Sequence, residues 1–143
     1  MIVTDTNIIS YLLLPSLYTE SVDALFQIDS DWAAPVLWKS EFRNVLALFL
    51  RKKIISLEKA MQLQEQAESI MIHEFDISSS QVLTLVNEST CSSYDCEFIA
   101  LAHHLNTRLI TQDKKLLKEF HSTAISVSDY LSSYEVDPEN WTG

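Results

Sequence analysis

A chain of 143 residues, 47% of them apolar, is long enough for one domain with a sizeable core and too short for two. Twenty acidic against ten basic residues leave a net charge of −10, which argues against passive, charge-driven adhesion to nucleic acid or an anionic membrane. The single glycine is Gly143, so the glycine-dependent phosphate turns of P-loop and Rossmann enzymes are excluded.

Apolar runs such as 8–14 and 45–50 fall far short of the roughly 20 residues that span a bilayer. The first five residues lack the basic region of a leader peptide. A soluble, cytoplasmic protein is expected. Cys91 and Cys96 are the only cysteines and have no histidine beside them, so neither a disulfide framework nor a zinc signature is expected.

In chain order, Ile2-Val3-Thr4 reads as a short strand broken by Asp5-Thr6-Asn7, which caps an apolar segment over 8–14. Pro15 ends it. A helix is predicted over 20–28, and a weak strand over 32–34 closed by Pro35. The strongest helix runs over 38–53, with Trp38, Phe42, Val45, Leu46 and Phe49 at helical spacing. Its basic end suits the negative pole of the helix. Ser56 caps a second long helix over 57–70, and 70–75 reads as a strand. Ser78 and Gln81 form a capping box for a helix to Glu88. Ser92 and Ser93 open another to Leu105. A strand over 108–111, a helix over 114–120, a strand over 124–127 and a short helix from Ser128 complete the pattern. Strands alternating with helices predict an α/β fold with a largely parallel sheet, as one three-layer domain over 1–134. The remainder, 135–143, is a polar tail apart from Val136 and Trp141.

Parallel sheets bind ligands beyond the C-terminal ends of their strands, where strand order reverses. Asp5 and Asp113 fall there, one after the first strand and one after the strand ending at Thr111. Each is also a good helix N-cap. Glu41 and Asp95 carry a different argument. Glu41 lies between Trp38 and Val45, and Asp95 precedes Phe98, Ile99 and Ala102, so both project from apolar stripes in the first turn of a helix. A carboxylate there is costly unless paired or bound to a metal. A salt bridge from Glu41 to Lys39 or Arg43 is the alternative. Glu97 and Asp76 read as ordinary surface acids, and the four histidines form no ligand set.

Four blocks occur in one order: Thr4-Asp5-Thr6-Asn7; 40–46 around Glu41; 94–102 around Asp95; and 109–116 around Asp113. Together they resemble the PIN-domain nucleases, and within them the VapC-type toxins, over residues 1–130. The resemblance implies a five-stranded sheet in the order 3-2-1-4-5 flanked by helices. It implies that Asp5, Glu41, Asp95 and Asp113 are the acidic site residues, supported by Thr6, Asn7 and Thr111. Crowded carboxylates require cations, and oxygen ligands suit Mg²⁺ or Mn²⁺. The expected activity is a ribonuclease that cleaves phosphodiesters with metal-activated water. Asp5 and Asp95 would be direct ligands, with Glu41 and Asp113 holding a second ion or the water. An RNA substrate, a small antitoxin reaching the cleft with an arginine, and a homodimer are implied partners. A catalytically silent PIN-like module and a receiver-type phosphoacceptor are the competing readings.

Overall fold

The protein is described by a computed structural model over residues 1–136. Its five strands are β1 (Ile2–Thr4), β2 (Trp32–Pro35), β3 (His73–Phe75), β4 (Leu109–Ile110) and β5 (Ala124–Ile125). All neighbours are parallel, in the order β3-β2-β1-β4-β5, as expected. That order differs from the 2-1-3-4-5 arrangement of receiver domains and removes that reading.

Parallel strands buried on both faces read as unbroken apolar runs rather than alternating ones. This is why β2, the weakest strand signal, is a central strand. Trp32, Ala33 and Ala34 are wholly buried, and Ala33 lies opposite both Val3 of β1 and His73 of β3.

Among the described residues eight helices cover the sheet: α1 (Thr6–Leu13), α2 (Thr19–Ile28), α3 (Leu37–Arg51), α4 (Leu57–Ile70), α5 (Ser79–Asn87), α6 (Ser93–His104), α7 (Lys114–Glu119) and α8 (Val127–Val136). One layer is built by α1 to α4 with α8, which pack on one another. In the other, α5 packs on α6, and α6 lies against β1, β2 and β4. The apolar residues of the α3–α4 pair mostly serve this core: Trp38, Phe42, Leu46, Leu63 and Ala67 are buried. No helix among the described residues is long and apolar enough to cross a membrane.

Four local expectations change. The strand expected over 108–111 is only Leu109–Ile110, although the Thr111 N–H still donates to the Ile125 carbonyl. The strand expected over 70–75 is only His73–Phe75, because α4 runs to Ile70 and Met71 caps it inside the core. The strand expected over 124–127 stops at Ile125, because the Ser126 hydroxyl accepts the Asp129 N–H and starts α8. Ser78 caps α5, but its hydroxyl donates to Gln81 Oε1 (3.2 Å), so the side chains meet each other rather than closing a full capping box. From residue 137 onward, the expected polar tail lies outside the described residues.

Candidate active site

The C-terminal edge of the sheet opens into a cleft of about 420 Å³ lined by Asp5, Glu41, Asp95 and Asp113, together with Thr6, Asn7 and Asn44. Four separate elements deliver the acids. Asp5 follows β1, the middle strand, and its N–H donates to the Ile110 carbonyl of β4 (3.3 Å). Asp113 caps α7 just after β4; Glu41 lies in the second turn of α3 and Asp95 in the first turn of α6.

Both strand-end aspartates do serve as helix caps. Asp5 Oδ1 accepts the Ile8 N–H (3.2 Å), and Asp113 Oδ1 accepts those of Lys115 (2.9 Å) and Leu116 (3.0 Å). Capping uses one carboxylate oxygen in each case. The other oxygen of Asp5, Oδ2, accepts the hydroxyl of buried Thr111. That same hydroxyl accepts the Asp113 N–H (3.0 Å), so Thr111 couples the two acids from behind the cleft.

The alternative of a salt bridge from Glu41 to Lys39 or Arg43 does not form. Lys39 turns away to Glu68 and Glu74, and Arg43 donates to the Lys39 carbonyl. Instead Glu41 Oε1 accepts the Thr6 hydroxyl at 2.7 Å. Thr6 is buried, and Asn7 is exposed at the cleft mouth.

The electrostatics have one sign. Burial lifts Asp5 to about 7, against the lowering hydrogen bonds from Thr111 and Ile8, with the charges of Asp113 and Asp95 adding to the rise. Burial also raises Glu41, opposed by Thr6 and reinforced by Asp95. Asp95 is raised by burial and then by Asp113, against the lowering effects of Ser92 and Lys115. No Lys or Arg lines the cleft, and no ion pair among the described residues involves any of the four acids. Among the described residues no three His, Cys, Asp or Glu side chains stand as a ready ligand set.

Glu97 is closer to this cluster than its helix position indicated: burial, Glu41 and Asp76 all raise its pKa. Asn44 and Tyr94 also line the cleft. Asn44 was legible as the residue one turn beyond Glu41, whereas Glu97 meets Glu41 only across two helices. Two of the four histidines have partners away from the acids: His73 bonds Asp31 and His103 bonds Thr123. Cys91 and Cys96 are free, buried thiols.

No curated protein matches the chain in sequence. Solved structures match its fold. The Pyrobaculum aerophilum protein PAE2754 superposes with a TM-score of 0.74 at 20% identity, covering 95% of this chain and 97% of that one. A toxin–antitoxin complex from Klebsiella pneumoniae gives 0.69 at 16% identity, over 89% and 98%. FitAcB from Neisseria gonorrhoeae gives 0.68 at 19%, over 90% and 99%. The PIN domain family model matches residues 2–121, a span that holds all four acids together with Thr6, Asn7 and Thr111, and the chain belongs to the PIN domain family.

Proposed function

We propose that the chain is a Mg²⁺- or Mn²⁺-dependent ribonuclease, the toxin of a toxin–antitoxin pair, acting through Asp5, Glu41, Asp95 and Asp113. One observation carries the reading: four carboxylates from four elements face one cleft whose lining holds no Lys or Arg. An oxygen-only, hard donor set of this charge fits a divalent cation. Asp5 and Asp95 would hold it, with Glu41 and Asp113 placed for a second ion or for water. When bound, the cation offsets the phosphodiester charge and eases deprotonation of the attacking water.

The chain's own contribution is placement and proton transfer. Thr111 fixes Asp5 through Oδ2, and Thr6 fixes Glu41 through Oε1, which leaves Glu41 Oε2 to accept a proton from water. The amides of Asn7 and Asn44 offer donors at the cleft wall for phosphate oxygens. An antitoxin segment carrying an arginine would complement the same carboxylates, and the Klebsiella relative's description as a toxin–antitoxin complex supports such a partner. A homodimer belongs to the same proposal; Leu57 and Met61 of α4, both exposed, offer it apolar surface.

The absence of a ready three-residue ligand set among the described residues keeps a silent PIN-like module as the second reading. Labelled RNAs incubated with the purified protein in Mg²⁺, Mn²⁺ or EDTA separate the two. Metal-dependent cleavage abolished by Asp5→Asn is the expected result. No cleavage with either metal, and no change on Asp5→Asn, favours the silent module.

A further inference from the structure

Four of the ten basic residues, Arg51, Lys52, Lys53 and Lys59, gather around the turn between α3 and α4. All are exposed, and none enters an ion pair among the described residues. Lys39 is engaged with Glu68 and Glu74, and Arg108 with the carbonyls of Thr123 and Ala124, while Lys114, Lys115 and Lys118 of α7 form a second group without an ion pair among the described residues.

The turn is held in one conformation. The Lys53 N–H donates to the Leu50 carbonyl and the Ile54 N–H to the Phe49 carbonyl, both at 3.0 Å, closing α3 as a Schellman motif. Lys53 occupies the left-handed position of that motif, with φ at 58°. Glycine takes this conformation without strain and lysine does not, so an ammonium group stands where the backbone alone favours glycine.

Helix α3 joins this turn to the cleft. Glu41, Asn44 and Val45 line the cleft, and Leu48, 49% exposed, follows on the same face. Lys52, eleven residues after Glu41, returns to that face at the end of the helix. Eleven residues rise about 16 Å, the span of a few nucleotides. An acidic cleft in a chain of net charge −10 repels a polyanion, and a fixed cationic turn at the end of this face offsets that repulsion.

Resting on the ribonuclease reading above, we propose that the α3–α4 turn is a second phosphate-binding subsite. There Arg51, Lys52 and Lys53 hold the backbone of a single-stranded RNA a few nucleotides from the bond placed in the acidic cleft.

The test is binding of a labelled twelve-nucleotide single strand to the full chain carrying Asp5→Asn, across a salt series, with cleavage kinetics on the active chain. Lys53→Gly should raise the melting temperature while weakening RNA binding, which a role confined to helix termination does not predict. Adding Arg51→Ala and Lys52→Ala should lower the slope of log K against log salt by about 2, at roughly 0.7 per phosphate contact. KM should rise with kcat and Mn²⁺ affinity unchanged. If the active chain cleaves RNA but the triple variant keeps its KM and salt slope, the subsite is overturned alone. If the variant loses only binding to an acidic polypeptide, it is overturned too. If the unaltered turn sits in a chain that neither binds nor cleaves RNA, the nuclease reading falls and the subsite with it.

Discussion

Asp5 divides its two oxygens between folding and the cleft: Oδ1 starts α1, and Oδ2 is held by Thr111 at the cleft floor. Its pKa of about 7 in the folded protein stands above the ordinary 3.8, so between those values the folded state binds a proton that the unfolded state has released. The stabilisation is therefore present at low pH and lost as pH rises through 7, by an amount on the order of 4 kcal/mol. Denaturant unfolding in EDTA should show a weaker protein at pH 8 than at pH 5, and Mg²⁺ or Mn²⁺ should recover the difference at pH 8. Asp5→Asn should flatten the profile; an unchanged slope would place the titrating group elsewhere. Position along the chain was enough to mark Asp5 and Asp113, because both follow strands, and apolar stripes marked Glu41 and Asp95. Thr6 and Thr111 were expected as supporting residues from the resemblance alone; which acid each would hold was not legible, since Thr6 reaches Glu41 across 35 residues and Thr111 reaches Asp5 across 106.

Helices α6 and α7 are braced against each other. Glu119, at the end of α7, accepts the Thr90 N–H (2.9 Å), the Thr90 hydroxyl (2.6 Å) and the Cys91 thiol (3.3 Å), two residues before the Ser92 cap of α6. One side chain thus ties the helix bearing Asp95 to the helix capped by Asp113. The Thr90 hydrogen bonds hold the Glu119 carboxyl below its usual range, so the brace loosens in acid. Glu119→Ala should speed amide exchange over residues 90–93 and leave the α3–α4 pair unaffected; uniform exchange throughout would deny the brace. Ser92→Ala should cost about 1 kcal/mol through the lost cap and weaken Mn²⁺ binding by displacing Asp95, read by thermal unfolding and calorimetry. Helix periodicity and serine caps were plain from the sequence. Strand lengths were not, because β4 and β5 hold two residues each and depend on neighbours that periodicity cannot supply.

At the scale of the molecule, the charge of −10 is unevenly spread. The acids meet at the sheet edge, while unpaired cations lie on the α3–α4 turn and on α7. A cleft of this sign suits a partner that brings its own cation. Co-expression with the product of the neighbouring reading frame should rescue growth that expression of this chain alone arrests; arrest without rescue, or no arrest at all, would sink the toxin assignment.

The sequence by itself determined the fold class, the strand order implied by its resemblance and the identity of the four cleft acids. The fold class and the four acids follow from local patterns, strands alternating with helices, strand-end aspartates and carboxylates on apolar stripes, whereas the strand order came only with the resemblance. Only the tertiary structure decided how the acids are held, which of their oxygens are engaged, that Glu41 pairs with Thr6 rather than with Lys39 or Arg43, and that Glu97 borders them. These depend on burial and on contacts between elements distant in the chain, and a parallel sheet makes all such contacts by long crossovers that leave no local trace.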